Sequence, residues 1–350
     1  MDQLHIARTW RTQLMRRLFA WLPVFAAVLL ASCSLTLFDY SGIVSKRFAL
    51  VYGVTVYASA YPAGSYPNLN YPDSDARAVA AMLQSEGYQV VLRYTDGTGN
   101  EWLAAFSSPA VQTGSLSTDP SGANGPSKSN ITADIQTYFE SAVGQNDVFV
   151  FYFSGHGMQT TTSPPVEYFV PEGAVQLSGG EYTGVASLSV ADYELGAILS
   201  PLSTSRKVVI LDTCNSGGFI GNSLEADAIP QASNGSSGGI SVQTLAQAVA
   251  NYLSFPASTS GLSPYGGAMV LSAAGRDESA YEAASPYNHG VMTYYLLRAP
   301  LSGDLNHDGH VTVAEAFSLA KAGIETDWNP GNTYSFEPRI SGGLVDFVLW

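Results

Sequence analysis

The stretch Asp147-Val-Phe-Val-Phe-Tyr-Phe153, followed directly by Ser154-Gly155-His156-Gly157, decides the fold of this chain. After its first residue the run is apolar at every position, which indicates a strand that is buried on both faces. Such a strand belongs in the middle of a sheet that is covered on both sides by helices. The polar and glycine residues behind it mark the strand end, where loops gather functional side chains.

Similar apolar runs recur along the chain, and helical patterns lie between them. Further strands are predicted at Phe48–Val54, Gln89–Arg93, Lys207–Leu211 and Ala268–Ser272, and helices at Ser74–Glu86, Ile131–Val143 and Val190–Leu199. The second helix has Ser129 or Asn130 as its candidate N-cap. Strands that alternate with helices predict a mainly parallel sheet. We therefore expect an α/β fold with about six strands and with helices on both faces.

Two stretches interrupt this alternation and are predicted to be long surface loops. Residues 107–129 and 221–264 lack apolar periodicity, and the second is rich in Ser, Gly and Ala. Loops of this length in a compact domain are usually functional or disordered. Because the second loop begins shortly after Cys214, we expect it to border a substrate cleft.

The N-terminus has the pattern of an exported protein. Arginines precede an apolar run from Leu18 to Leu30. This run of about 13 residues is shorter than a membrane-spanning helix, so a signal peptide over residues 1–32 is favoured. Leu30-Ala-Ser-Cys33 resembles the bacterial lipobox; ordinary cleavage at a small-residue site is the alternative. The resemblance implies a lipid anchor on Cys33, a linker over residues 33–46 and a membrane-attached, extracytoplasmic location in the bacterial cell envelope.

The composition argues against several classes of function. The net charge is −14, which makes nucleic acid an unfavourable partner. The chain has two cysteines, Cys33 and Cys214, so a disulfide framework is excluded if the first carries a lipid. Cys214 would then be a single thiol in an oxidising compartment, which fits a nucleophile or a small buried hydrophobe.

Two strand ends carry residues with the chemistry of a nucleophile and a base. His156 follows one strand, and Asp212-Thr-Cys214-Asn-Ser-Gly-Gly218 follows the next. Because the carboxyl ends of parallel strands lie at one edge of a sheet, His156 and Cys214 are predicted to meet. A thiol is only a few per cent ionised at pH 7, so an imidazole that takes its proton activates it. The backbone N–H groups of Gly157 and Cys214 are the candidate oxyanion donors. Taken singly, the alternatives are a histidine satisfied within a glycine turn and a buried thiol.

Tyr152-Phe-Ser-Gly-His-Gly157 and Asp212-Thr-Cys-Asn-Ser-Gly217 resemble the histidine and cysteine motifs of caspase-like peptidases, especially bacterial and metacaspase-type members. His156 precedes Cys214 by 58 residues, close to the roughly 50-residue spacing of caspases. The resemblance covers about residues 47–300, with supporting matches at Asp75-Ala76, Met82-Leu83, Tyr168–Pro171, Ser272–Glu282 and His289–Leu296. It implies a three-layer caspase-like catalytic domain and a cysteine endopeptidase that hydrolyses a polypeptide substrate through an acyl-enzyme.

The same resemblance implies a preference for basic residues. Asp212 lies two residues before Cys214, where metacaspase-like members place an acid that lines the primary specificity pocket, so cleavage after Arg or Lys is expected. The alternative is that Asp212 only caps the turn after its strand. Asp277 is a second candidate pocket acid, although the segment Ser272–Glu282 is one residue shorter than the metacaspase pattern.

A calcium-loop pattern lies in the C-terminal segment 301–350. Oxygen donors occupy loop positions 1, 3, 5, 9 and 12, glycine stands at position 6, and position 7 offers a backbone carbonyl. The residues are Asp304, Asn306, Asp308, Gly309, His310, Thr312 and Glu315. This matches the EF-hand loop and predicts Ca²⁺ as a cofactor, with an exiting helix over Val313–Ala322. A solvated acidic turn that caps a helix is the alternative, and a structural or a regulatory role for calcium stays open.

Three other functions compete with the peptidase. A catalytically silent caspase-like scaffold lipoprotein is the main alternative, and the intact His156 and Cys214 argue against it. Cysteine phosphatases need an arginine six residues after the nucleophile, where this chain has Ile220. A calcium-stabilised adhesin would leave the paired histidine and cysteine motifs unexplained.

Overall fold

The computed structural model describes residues 45–106, 110–115, 124–159, 166–213, 269–274, 278–332, 334–341 and 346–350. These residues belong to one compact unit, Ser45–Trp350. Within them, no helix combines the length and apolar character that a membrane span requires. The predicted signal peptide, the lipidation site Cys33, the nucleophile Cys214, the loop 221–264 and the pocket acid Asp277 all lie outside the described residues, as does all of the linker 33–46 except its last two residues.

Strands and helices follow one another through most of the chain. The first are β1 (Arg47–Val54), α1 (Pro72–Ser85), β2 (Tyr88–Thr95), β3 (Asn100–Ala105), β4 (Val111–Ser115), α2 (Lys128–Asp134), continued by a π-helical segment (Ile135–Phe139), and β5 (Val148–Ser154). Next come β6 (Gly157–Gln159), β7 (Glu167–Phe169), β8 (Val175–Ser178), β9 (Glu181–Gly184), β10 (Val190–Ala191), α3 (Asp192–Leu199) and β11 (Arg206–Asp212). The last are β12 (Met269–Ser272), β13 (Glu282–Ala283), β14 (His289–Gly290), α4 (Val291–Leu296), α5 (Ala299–Ser302), α6 (Val313–Gly323), π-helical and 3₁₀ segments (Ile324–Trp328, Asn329–Gly331) and β15 (Arg339–Ser341).

Eight of these strands form the central sheet, in the order β15-β12-β11-β5-β1-β2-β3-β4. Neighbours from β12 to β2 pair in parallel, whereas β15, β3 and β4 pair antiparallel at the two edges. The predicted mainly parallel α/β fold is therefore confirmed, but the predicted number of about six strands is too low. The missed strands lie at the edges, where one-sided exposure replaces the continuous apolar run of a central strand.

The interior has a separate apolar layer on each face of the sheet. Val148, Val150 and Tyr152 of β5 pack on the side of α1, α4 and α6. Phe149, Phe151 and Phe153 point to the opposite side and pack against α2 and α3. Because strand side chains alternate between faces, one fully buried strand supplies both layers. This arrangement confirms the prediction of helices on both faces.

Three local predictions need correction. The N-cap of α2 is Ser127, which accepts a hydrogen bond from the Asn130 N–H, rather than Ser129 or Asn130. The predicted loop 107–129 contains β4, whose single apolar residue, Val111, gives no strand pattern. The predicted helix at 190–199 begins as the short strand β10 before α3. In addition, β15 comes from the predicted C-terminal segment 301–350 and pairs with β12 of the main sheet.

Candidate active site

The two motif-bearing strands lie side by side in the sheet. β5 and β11 pair in parallel, and their last residues, Ser154 and Asp212, are register partners. The Gly155 N–H also donates to the Asp212 carbonyl over 3.3 Å. His156 comes two residues after one end, and Cys214 two residues after the other. The two strand ends are therefore adjacent, as the sequence predicts, while the position of Cys214 itself stays a prediction.

A pocket opens at this edge of the sheet. It comprises about 370 Å³ including the solvent at its mouth, and its wall contains His156, Asp75, Ser154, Asp212, Glu282 and Gly290. Thr213, the residue directly before the predicted nucleophile, also lines it and is buried. The pocket therefore occupies the carboxyl end of the parallel strands, where α/β folds place their ligands.

His156 is buried and held from two sides. Its Nε2 lies 2.7 Å from the Pro67 carbonyl oxygen, and a carbonyl can only accept a hydrogen bond. Nε2 therefore carries the proton, and Nδ1 carries the lone pair. The Tyr57 hydroxyl accepts from the His156 backbone N–H over 2.8 Å and donates to the Val170 carbonyl. The centroids of the Tyr57 and His156 rings are 4.8 Å apart. These contacts fix the orientation of the imidazole, and the bond to Pro67 fixes its tautomer.

The burial of His156 also determines its charge. Desolvation lowers the pKa of this imidazole to about 4, and the hydrogen bond to Pro67 opposes the shift only in part. The ring is therefore neutral at pH 7. A neutral imidazole with a fixed tautomer is the form that can accept a proton from a nearby thiol.

The Gly157 N–H, a predicted oxyanion donor, is not used by the neighbouring strand pair. Gly157 and Phe169 are register partners in β6 and β7, and the flanking bond runs from the Val170 N–H to the His156 carbonyl. In an antiparallel ladder this makes Gly157 and Phe169 a pair without mutual hydrogen bonds. The Gly157 N–H therefore points away from β7 and is free of that ladder.

Two buried carboxylates face each other across Gly290. Asp212 ends β11, and Asp75 lies in α1; both are nearly inaccessible to solvent. The Gly290 N–H donates to both oxygens of Asp75, at 3.1 and 3.2 Å. A Cβ at position 290 would lie 2.4 Å from Asp212 Oδ2 and 3.1 Å from Asp75 Oδ2. Only glycine fits between the two acids without moving them.

The environment of these acids favours a cationic ligand. Burial, followed by the negative charge of Asp75, raises the pKa of Asp212 to about 7, although hydrogen bonds from the Thr293 N–H (3.0 Å) and hydroxyl (2.5 Å) oppose the shift. Burial also raises the pKa of Asp75, against the opposing contact of His289 at 2.7 Å. Among the described residues, His289 is the one basic side chain within 4 Å of either carboxylate, and it contacts Asp75. A cation in the pocket would relieve the repulsion between the acids.

Asp75 was not identified as a site residue from the sequence, where Asp75-Ala76 is only a supporting match to the family motifs. Asp75, Val79 and Leu83 are spaced four residues apart in α1, and all three are buried. An acid on the apolar stripe of an amphipathic helix is therefore the signal that could have identified it, because a buried carboxylate requires partners. The Pro67 carbonyl has no such signal, since any residue supplies one.

The predicted calcium loop is folded back on its own acidic side chains. Asp304 accepts from the N–H groups of Asp308 and Gly309, and Asp308 accepts from that of His310. Gly309 has a φ of +88°, which glycine adopts without strain. Glu315 accepts from the N–H groups of Asn306 and Thr312 and forms a capping box at the start of α6. The capping contacts agree with the alternative, an acidic turn that caps a helix. No group of three or more His, Cys, Asp or Glu side chains in the described ranges is arranged to hold a metal ion.

Comparison with known proteins gives a family match and distant similarity to solved structures. A sequence model of the caspase domain matches residues 46–322, well over half of the 350 residues. None of the curated protein sequences matches the chain. Among solved structures, protein GSU0716 from Geobacter sulfurreducens is similar over 85% of this chain and 94% of that one, with 15% identity and a TM-score of 0.45.

Proposed function

The chain belongs to the caspase-domain peptidase family, as the histidine and cysteine motifs predicted, and we propose that it is an active cysteine endopeptidase with Cys214 as nucleophile and His156 as base. The observation that carries the proposal is the register pairing of Ser154 with Asp212, which brings the two motif-bearing strand ends together. The fixed tautomer of His156 adds support, because it leaves Nδ1 as the atom that can accept the thiol proton.

The catalytic cycle would use His156 Nδ1 twice. The Cys214 thiol gives its proton to Nδ1, and the thiolate attacks the scissile carbonyl carbon. The Gly157 and Cys214 N–H groups stabilise the resulting oxyanion. Nδ1 then protonates the leaving amine as the C–N bond breaks and a thioester remains. Finally, Nδ1 takes a proton from water as its oxygen attacks the thioester carbon. The C–S bond breaks to release the acid, and Nδ1 returns the proton to the Cys214 thiolate.

The proposed preference is for Arg or Lys before the scissile bond. Asp212 and Asp75 form a buried acidic wall in the pocket beside His156, and a basic side chain would form charge-assisted hydrogen bonds with their ionised forms. The alternative is that Asp212 only caps the turn after β11. That turn begins beyond residue 213 and lies outside the described residues. Asp277 also lies outside them and stays a predicted second acid.

A panel of short fluorogenic peptides tests the activity and the preference together. Peptides ending in Arg, Lys or Asp are incubated with the wild type, and Cys214→Ala serves as the blank. We expect turnover after Arg and Lys with the wild type alone. Absence of turnover on every peptide would favour the catalytically silent scaffold, and turnover after Asp alone would refute the pocket assignment.

The pH dependence of this preference follows from the raised pKa of Asp212. The carboxylate must be ionised to bind a cation, so kcat/KM for an Arg peptide, divided by that for a matched Gln peptide, should rise as the pH increases through about 7. The Gln peptide cancels the ionisation of Cys214, which affects both substrates. A ratio that stays constant between pH 5.5 and 8.5 would show that Asp212 does not contact the substrate.

We further propose that the loop 304–315 binds calcium and that the ion stabilises the fold. The support is the sequence pattern: Asp304, Asn306, Asp308, Thr312 and Glu315 supply side-chain oxygen atoms at calcium-loop positions, and His310 supplies a backbone carbonyl. The carboxylates of Asp304 and Glu315 accept from backbone N–H groups of the loop in the structure, so they would have to turn toward the ion. Val311, inside the loop, exchanges backbone hydrogen bonds with Trp350, which joins the loop to the end of the chain. A bound ion would therefore hold the C-terminal residues as well as the loop.

Calcium removal gives a direct test of this second proposal. Calcium at 100 times its Kd should raise the free energy of unfolding by about 2.7 kcal/mol relative to the chelated protein. Glu315→Gln should lose most of this gain, whereas the exposed control Glu325→Gln should keep it. Denaturant melts with calcium and with chelator measure the difference. Equal stability in both conditions would favour the acidic helix-capping turn, and equal peptidase rates would exclude a regulatory role.

We also propose that Cys33 carries a lipid that anchors the protein in the bacterial envelope. The support is the apolar run from Leu18 to Leu30 and the lipobox-like Leu30-Ala-Ser-Cys33. Metabolic labelling with a radioactive fatty acid should label the wild type and not Cys33→Ser. Recovery of both proteins in the membrane fraction without label would contradict lipidation.

A further inference from the structure

Three tyrosines on two neighbouring segments form an exposed aromatic surface, which we call the tyrosine patch. Tyr61 and Tyr66 lie between β1 and α1, and Tyr182 lies in β9. The rings of Tyr61 and Tyr182 meet edge to face, with centroids 5.7 Å apart. The Tyr66 hydroxyl donates to the Tyr182 carbonyl over 2.7 Å. Tyr61 and Tyr66 nevertheless remain 46% and 44% exposed, so the patch presents preorganised aromatic surface to solvent.

A single loop connects the tyrosine patch to the candidate active site. Tyr66 directly precedes Pro67, whose carbonyl holds His156. Leu69 follows and lines the pocket, and the N–H groups of Asn70 and Tyr71 donate to Glu282 in the pocket wall at 2.7 and 3.0 Å. Followed from Tyr71 back to Tyr61, the loop therefore contacts the acidic pocket first and His156 next, and it ends at the tyrosine patch.

A substrate that follows this order has the patch on the leaving-group side of the scissile bond. In the proposed reaction, the substrate side chain before that bond enters the pocket with Asp212, and His156 protonates the amine that leaves. A peptide that runs from the pocket past His156 thus continues toward the tyrosine patch with the residues after the bond. Since an extended chain advances about 3.3 Å per residue, its first four residues reach about 13 Å.

We propose that the tyrosine patch is a subsite for an aromatic side chain within the first four substrate residues after the scissile bond, an inference that rests on the peptidase function proposed above. The chemistry of the patch selects this class of residue. Edge-to-face rings offer both faces and edges to a third ring. Leu177, the cross-strand partner of Tyr182, is 60% exposed and extends the apolar surface. An aromatic side chain should thus improve kcat/KM about fivefold over serine.

Internally quenched peptides with one Arg before the scissile bond test this subsite. Four peptides carry Phe at the first, second, third or fourth position after the bond, with Ser at the other three, and a fifth carries Ser throughout. The wild type should prefer Phe about fivefold at one or more positions. Tyr182→Ala removes a ring but keeps the carbonyl that binds Tyr66, and should bring the ratio to about one. Tyr182→Phe, the matched control, should keep the wild-type ratio.

The outcomes separate this inference from the proposed function. A wild type that cleaves the peptides without preference at any of the four positions would overturn the subsite alone, as would a preference that Tyr182→Ala retains. Turnover of a short Arg amide, which has no residue after the scissile bond, reports the peptidase itself. Absence of turnover on that amide and on every peptide would overturn the proposed function and the subsite with it.

Discussion

His156→Gln should lower kcat for an Arg peptide by about 10³- to 10⁴-fold, because one imidazole serves as both base and acid in the proposed cycle. The glutamine amide can still donate to the Pro67 carbonyl, which is 2.7 Å from Nε2 in the native side chain. The variant should therefore fold. It lacks a group that accepts the thiol proton, so Cys214 should be alkylated more slowly at pH 7 than in the wild type.

Tyr57→Phe is the matched control for this substitution. It keeps the ring that packs on the imidazole at 4.8 Å and removes the hydroxyl that binds the His156 backbone N–H. Leaving that buried N–H unpaired should cost about 1–3 kcal/mol of stability, while kcat should fall by less than about tenfold. If His156→Gln lowered kcat no more than Tyr57→Phe does, His156 would not be the base.

The central layers of the fold could be predicted because they depend on local pattern. The run from Val148 to Phe153 is apolar at every position and is the fully buried β5, and the helix predicted from Val313 becomes α6. β3 and β4 were missed for the opposite reason. They lie at one edge of the sheet, and polar residues such as Gln112 and Thr113 give β4 the composition of a loop.

The candidate site could be predicted only where a reactive side chain lies in a recognisable sequence motif. His156 stands among glycines at a strand end, and Asp212 precedes the cysteine by two residues. The Pro67 carbonyl that fixes the imidazole is a backbone atom with no signature in the sequence. The contact between Gly290 and the two acids depends on packing between α1, β11 and β14, and no local pattern encodes that packing.

Asp212→Asn should lower kcat/KM for Arg and Lys peptides by about 10²- to 10³-fold, because it leaves a buried substrate cation without one of its two carboxylates. The amide keeps an oxygen that can accept from the Thr293 N–H and hydroxyl, so the position of α4 should persist. Thr293→Val is the control, since it removes one donor to Asp212 but no charge. A loss in Asp212→Asn that is no larger than the loss in Thr293→Val would contradict a direct contact with the substrate.

The same substitution should stabilise the fold, and the sign follows from the raised pKa. Asp212 has a pKa of about 7 in the folded chain, against an ordinary value of 3.8, so the folded state binds the extra proton between these pH values. Its contribution to stability is greatest below the ordinary value and falls as the pH rises toward 7. Asparagine does not ionise, so the variant does not lose stability as the pH rises. Denaturant melts should therefore show Asp212→Asn to be more stable than the wild type at pH 8 and nearly equal to it at pH 4.

Asp96 provides the opposite case in the same chain. Although burial opposes the shift, hydrogen bonds from Thr98, Trp102 and Asn100 lower the pKa of Asp96 to about 2. Its ionised form therefore stabilises the fold above the ordinary value, and Asp96→Asn should destabilise the protein at pH 8. If both substitutions shifted stability in the same direction at pH 8, burial of Asp212 beside Asp75 would not explain the raised pKa of Asp212. We expect Asp212→Asn to raise stability at pH 8 and Asp96→Asn to lower it, and only Asp212→Asn to lose cleavage after Arg. Such a result would mean that Asp212 destabilises the fold but is needed for substrate binding.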